Sequence, residues 1–151
     1  MEIRIDDLSG GEVIELLQEH LADMYATSPA ESVHALDVEG LKAPEITFFS
    51  AWDNHQLMGC AAIRVLSTTS AEIKSMRTVK AYRQQGVANR LLEHLFSYAK
   101  AQGIEQLSLE TGTQSYFAAA RNLYHKLGFV DCGPFGDYQL DPNSHFMTLS
   151  L

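Results

Sequence analysis

The chain has 151 residues, 46% of them hydrophobic and 20% charged, with a formal net charge of -8. That length fills one ordinary domain, residues 1–151, with a core of its own, so disulfide or metal staples are not required. The acidic balance argues against nucleic acid, which needs a broad basic face, and no apolar run nears the roughly 18 residues of a membrane span.

The start, "MEIRIDDLSGGEV", is acidic and lacks the basic-then-apolar layout of a secretory leader, so a cytoplasmic location is expected. Cys60 and Cys132 stand far apart in no CxxC pattern and read as two separate thiols of a reducing compartment. Ile3 and Ile5 alternate with charged neighbours as in a half-buried strand. Ser9 followed by Glu12 reads as a capping box, and Val13, Ile14, Leu17, Leu21 and Met24 recur at helical spacing until Ser28-Pro29 stops the helix. Residues 30–45 mix a short amphipathic segment with Gly40 and Pro44, the pattern of a short helix and a loop.

Three strand-like runs follow, "ITFFSAW", "LMGCAAIRVL" and "AEIKSMRT", joined by the polar turns "DNHQ" and "STTS" as an antiparallel meander. From Gly86 the period changes. Val87, Leu91, Leu92, Leu95, Phe96 and Ala99 form one apolar helical face, with Lys100 in the last turn and Gly103 as the stop. "IEQLSLE" is another strand, and Phe117, Ala120, Leu123, Tyr124 and Leu127 mark a further helix ended by Gly128. The order strand, helix, strand implies a right-handed crossover. The tail, "FVDCG" to "HFMTLSL", reads as a final hairpin whose apolar last strand invites pairing across a homodimer.

Charge is unevenly spread. Residues 1–53 hold twelve Asp or Glu against Arg4 and Lys42, whereas Lys74, Arg77, Lys80, Arg83 and Arg90 share a window with no acidic side chain. A strand ending near Thr78, a turn through Gly86 and a helix running onward would aim the unpaired N–H groups of the first helical turn at one point, a seat for a phosphate. No GxxxxGK[ST] occurs and no GxGxxG follows a strand, which disfavours P-loop and dinucleotide folds.

Arg83-Gln84-Gln85-Gly86-Val87-Ala88 matches the [RQ]-x-x-G-x-[GA] pyrophosphate loop of the GNAT N-acetyltransferases, and it lies at the strand-to-helix junction where that family carries it. "LYHKLGF" extends the resemblance, the tail looks like that of a bacterial YsnE-like subgroup, and the first 45 residues match in element order only. The resemblance implies an α/β (α+β) GNAT fold: a central mixed, mostly antiparallel sheet of about seven strands, splayed between the fourth and fifth, with about four helices. It implies acetyl-CoA as cosubstrate, with backbone contacts from Met76, Arg77 and Thr78 to the pantetheine arm. The Arg83 side chain and the amides of Gln84, Gln85, Gly86, Val87, Ala88 and Asn89 would hold the pyrophosphate. Arg90 is either a ligand contact or a solvated helix residue.

Acetyl transfer from a thioester to an amine needs a base, an oxyanion donor and a proton for the leaving thiolate. By resemblance to the histone-acetyltransferase branch Glu72 is the first candidate base, against a structural reading as an exposed glutamate paired with Lys74 or Arg64. Glu110 is its rival, by resemblance to the amino-terminal acetyltransferases. Tyr124 matches the family's general acid, against a reading as a core aromatic, and the Met76 N–H would be the oxyanion donor. Where many members carry a cofactor-binding Asn seven residues before that tyrosine, this chain has Phe117, leaving Asn122 or Gln114 to replace it. The six histidines show no metal-ligand spacing, so no metal is expected, and His145 is not adopted as an acceptor contact.

The acceptor expected is a primary amine of a small molecule or peptide, with a weak preference for a cation drawn by the acidic first third. The alternatives are a CoA-binding sensor without turnover and an enzyme using a different acyl-CoA.

Overall fold

The computed structural model describes all residues 1–151. Strand β1 (Glu2–Ile5) leads into helix α1 (Gly11–Thr27) and the short α2 (Val38–Leu41). The meander β2 (Ile46–Asp53), β3 (Gln56–Val65) and β4 (Ser70–Thr78) is followed by α3 (Val87–Ala101), β5 (Gln106–Gly112), α4 (Ala118–Lys126), β6 (Val130–Cys132) and β7 (Ser144–Ser150). All seven strands join one sheet in the order β1-β2-β3-β4-β5-β7-β6. Every junction is antiparallel except β4–β5, which is parallel across the α3 crossover. This is the mixed sheet with four helices that the resemblance implied.

Strand β3 shows why the meander reads as continuous apolar sequence. Met58, Ala61 and Ile63 face a core cluster shared with α3 and α4, while Leu57, Cys60 and Ala62 face a second cluster under α1 and α2. With helices on both faces a strand has no solvent side to mark with polar residues. Leu91, Leu92 and Leu95 of α3 are fully buried, and burying each such side chain contributes about 1.5–3 kcal/mol.

Three local expectations are corrected. The Ser9–Glu12 capping box does not form: Gly10 is the N-cap, and Ser9 Oγ bonds Asp7 Oδ1 at 2.5 Å. The turn before α1 passes through Leu8 at φ 64°, with Asp6 and Asp7 accepting the Leu8 and Ser9 amides, so Ser9 is turned back onto its own loop. Of the two isoleucines of β1 only Ile3 packs against the core, and Ile5, two residues along the same face, is 63% exposed. The apolar tail strand β7 lies between β5 and the three-residue β6, so from Phe146 to Thr148 both its edges are paired within the chain.

Gly59 sets how closely α3 approaches the sheet. A Cβ there would sit 2.8 Å from the Arg77 carbonyl oxygen and 3.2 Å from Val87 and Leu91 side-chain atoms. The start of α3 is thereby held against β3 and β4. Arg77 secures the opposite face: its guanidinium, buried at the end of β4, pairs with Glu19 at 2.5 Å and Asp23 at 2.6 Å on α1. Gly59→Ala forces backbone apart, so we expect it to lower stability by about 1–3 kcal/mol, read as a fall in the urea midpoint at unchanged m-value.

Candidate active site

The splay between β4 and β5 is a measurable event in the register. The two strands pair from Ser70↔Gln106 to Ile73↔Leu109 and no further, although β4 runs on to Thr78 and β5 to Gly112. On the other side of β4 the register with β3 slips between Cys60↔Arg77 and Ala62↔Lys74, leaving Ser75 and Met76 as a bulge opposite Ala61. Ser75 has φ 53°, a left-handed residue inside a strand. Bulges bend and twist the strand that carries them. Beyond this point the strands part around a cavity of about 640 Å³.

At one end of that cavity lies the turn into α3. Gln84 has φ 62° and Gly86 φ 84°, so two left-handed residues fold the chain tightly before the helix. A Cβ on Gly86 would meet nothing within 4 Å, so the positive φ, rather than lack of room, is what calls for glycine. No side chain caps α3, and its first backbone bond runs from Arg90 N to Gly86 O at 3.1 Å. The amides of Val87, Ala88 and Asn89 therefore have no partner within the helix. These residues line the cavity together with Arg83, Gln84 and Gly86.

The basic window divides between two jobs. Lys74 and Arg77 are buried and bound to carboxylates, while Lys80 and Arg90 are exposed and off the cavity wall. Arg83 is the member that reaches the turn with no salt-bridge partner. Gln85 points back, its Nε2 donating to Ala81 O at 3.3 Å, and does not line the cavity. Asn122 is exposed on α4 and outside the lining, and the Gln114 amide is spent on Asn143 at 3.1 Å. Neither replaces the asparagine that Phe117 displaces, and Phe117 itself forms part of the wall.

Farther in, Met76, Thr78 and the backbone of Arg77 line one side of the cleft and Glu110 and Thr111 the other, with Tyr124 projecting from α4. Glu72 is 1% exposed rather than solvated. It accepts from Lys74 Nζ at 3.3 Å and from the Tyr138 hydroxyl. Lys74 also donates to Tyr138 Oη at 3.0 Å. Glu110 forms no salt bridge, and burial raises its carboxyl from 4.5 to about 7. Burial also pushes the Tyr124 hydroxyl up to about 12, which keeps it protonated at neutral pH. His20, from α1, is held neutral by burial beside Arg77, its pKa lowered to about 4.

Tyr138, His34 and His20 also line the cavity, and the sequence offered no sign of it. They arrive from the tail loop, from the segment before α2 and from α1, so no spacing links them. His34 and Tyr138 meet edge to face with ring centroids 5.2 Å apart. His145 is not on the wall. It gathers with His125 and Asp131 outside the cavity, a cluster that spacing along the chain did not show.

A split parallel strand pair feeding an uncapped, glycine-led helix start is the arrangement that the resemblance to the GNAT acetyltransferases implied, and the comparisons place the chain in that class. The model of the Acetyltransferase (GNAT) family matches residues 13–129. The chain is 51% identical over 151 residues to the uncharacterized N-acetyltransferase YsnE of Bacillus subtilis strain 168, covering 100% of both chains. A crystal structure from Klebsiella pneumoniae is 25% identical with a TM-score of 0.80, covering 99% of this chain and 97% of that one. A GNAT family acetyltransferase from Elizabethkingia anophelis with acetyl-CoA bound shares the fold at 17% identity and a TM-score of 0.69, covering 99% of this chain and 97% of that one. The chain belongs to the GNAT acetyltransferase family and is an N-acetyltransferase by class.

Because burial favours the protonated Glu110, the folded state holds a proton there that the unfolded chain releases between pH 4.5 and about 7. The cost of burying the charged form is absent below that window and complete above it. We therefore expect the Tm of Glu110→Gln to exceed that of the unaltered protein at pH 8, with the gap closing below pH 5, as read by calorimetry at both pH values.

Proposed function

We propose that the protein transfers an acetyl group from acetyl-CoA to a primary amine of a small molecule or peptide by direct attack. The observation that carries this reading is the cleft between β4 and β5, which runs from the unpartnered amides of α3 to a carboxyl and a phenol facing the same cavity. The pyrophosphate would sit on the amides of Val87 to Asn89, where a helix start favours an anion, with Arg83 adding charge. The pantetheine arm would take the hydrogen-bonding edge of Met76 to Thr78 that β5 leaves open. The bulge leaves Met76 without a register partner on β3, which suits its N–H to the thioester oxygen.

Glu110 is the base in this reading. A carboxyl near 7 is a stronger base than an ordinary glutamate and is still half ionised at neutral pH. It removes a proton from the ammonium or amine, directly or through one water. The neutral nitrogen attacks the thioester carbonyl carbon, the C–N bond forms and the C–S bond breaks, the thiolate takes a proton from Tyr124, and the nitrogen's remaining extra proton leaves to solvent, from which Tyr124 is reprotonated. Glu72 is the second reading, favoured by its burial on β4 just before the split. Its ties to Lys74 and Tyr138 fit a positioning role better, because a base must reach the substrate proton.

The acceptor end carries Glu110 without a salt bridge beside the paired Glu72 and Lys74, so its net charge suits a cationic amine. We expect calorimetric titration to show acetyl-CoA binding that Gly86→Val weakens, since valine does not tolerate the φ of 84°. In a thiol-release assay over a panel of amines, Tyr124→Phe should lower kcat by about 10²–10⁴-fold with acetyl-CoA binding retained. Glu110→Gln should erase the rise of kcat/KM through pH 7. If that limb persists in Glu110→Gln and disappears in Glu72→Gln, the base is Glu72; binding without thiol release from any amine sinks the catalytic reading of this cavity.

A further inference from the structure

Outside the cavity, three potential ligands converge from three elements. His125 stands in the last turn of α4, Asp131 in the middle of β6 and His145 near the start of β7. Asp131 is registered opposite Met147, so His145, two residues along β7, is its diagonal neighbour on the same face of the sheet. The turn through Gly128 and Phe129 brings the end of α4 back over that face. The Nε2 atoms of both imidazoles lie 2.8 Å from the same oxygen, Asp131 Oδ1. All three ligand atoms fall within 4.8 Å of one another.

We infer that His125, Asp131 and His145 form a binding site for a divalent transition-metal cation of the zinc class. Two imidazoles and one carboxylate are a donor set suited to such ions, and oxygen-seeking magnesium or calcium would find one carboxylate too few. Tetrahedral bonds near 2.0–2.1 Å separate neighbouring ligand atoms by about 3.3 Å. The two 2.8 Å contacts therefore need to open by only about half an ångström, which small rotations of solvent-exposed side chains provide. Each neutral imidazole can offer Nε2 to the ion by carrying its proton on Nδ1, so no net proton loss is required. Side-chain exposures of 44%, 60% and 29% leave room for water in the remaining coordination positions.

The site has a structural consequence. His125 is the chain neighbour of Tyr124, and His145 pairs with Thr111, the residue after Glu110. An ion held by these three side chains ties α4 to the β6–β7 hairpin behind the active cleft. It binds the folded chain and not the dispersed ligands, so it raises the unfolding midpoint.

The test uses the full chain without an affinity tag. Zinc chloride titrated calorimetrically should give one saturable site per chain and raise Tm, and cobalt(II) should give a visible absorption band. His125→Ala and His145→Ala should each weaken zinc binding more than about tenfold, whereas His55→Asn, at an exposed turn away from the cluster, should leave it unchanged. On the unaltered protein, zinc should shift the ring nitrogen resonances of His125 and His145 ahead of the other histidines, a readout that does not depend on any variant folding. Absence of saturable binding, binding that survives both alanine substitutions, or shifts centred on other histidines would overturn the assignment.

Discussion

The parting of β4 from β5 is the constraint on which the site depends. Four residues of each strand pair, and then the hydrogen-bonding edges of Lys74 to Thr78 and Glu110 to Gly112 face a cleft instead of each other. A buried strand edge with no partner is costly, so a sheet that opens here calls for something to fill the gap. The bulge at Ser75 and Met76 bends one wall, and the seven-residue register with β7 holds the other wall in place. The left-handed φ of Ser75 is strain stored at the bend.

Electrostatics then separates two kinds of basic residue that look alike along the chain. Lys74 and Arg77 face inward from β4 and are neutralised by Glu72 and by the α1 carboxylates. Removing one partner of such a buried pair leaves an uncompensated charge, so these contacts fix the placement of α1 and of the tail loop more than they add stability. The proposed anion seat would rely on backbone amides instead, with Arg83 as its charged helper. A seat made of backbone is insensitive to side-chain rotamers, and the closeness that Gly59 allows between α3 and the sheet keeps it aimed.

Desolvation distinguishes the two carboxylates of the cleft. Glu72 is the more buried, yet it has a lysine and a tyrosine for partners. Glu110 is less enclosed and forms no salt bridge, so burial outweighs the opposing pull of Ser144 and of the more distant Lys74 and lifts its proton affinity. Burial alone is therefore a poor guide to which carboxylate is chemically available.

Much was legible in the sequence because it depends on local periodicity or on one motif. The meander, the apolar face of α3 with its Gly103 stop, the Arg83 to Ala88 loop and the places of Glu110 and Tyr124 all follow from residues close together in the chain. What tertiary structure decided is where side chains from distant segments go. Ser75 carries no turn signature, yet the register of β3 makes it a bulge. Arg77 read as part of a phosphate patch until α1 supplied Glu19 and Asp23. The tail read as a hairpin, and only the sheet order shows its last strand inserted between β5 and β6. Tyr138, His20 and His34, and the meeting of His125, Asp131 and His145, likewise arise only when separate elements pack on one sheet. Spacing along a chain encodes neighbours within an element, and the pairing of elements is set by the burial of their faces together.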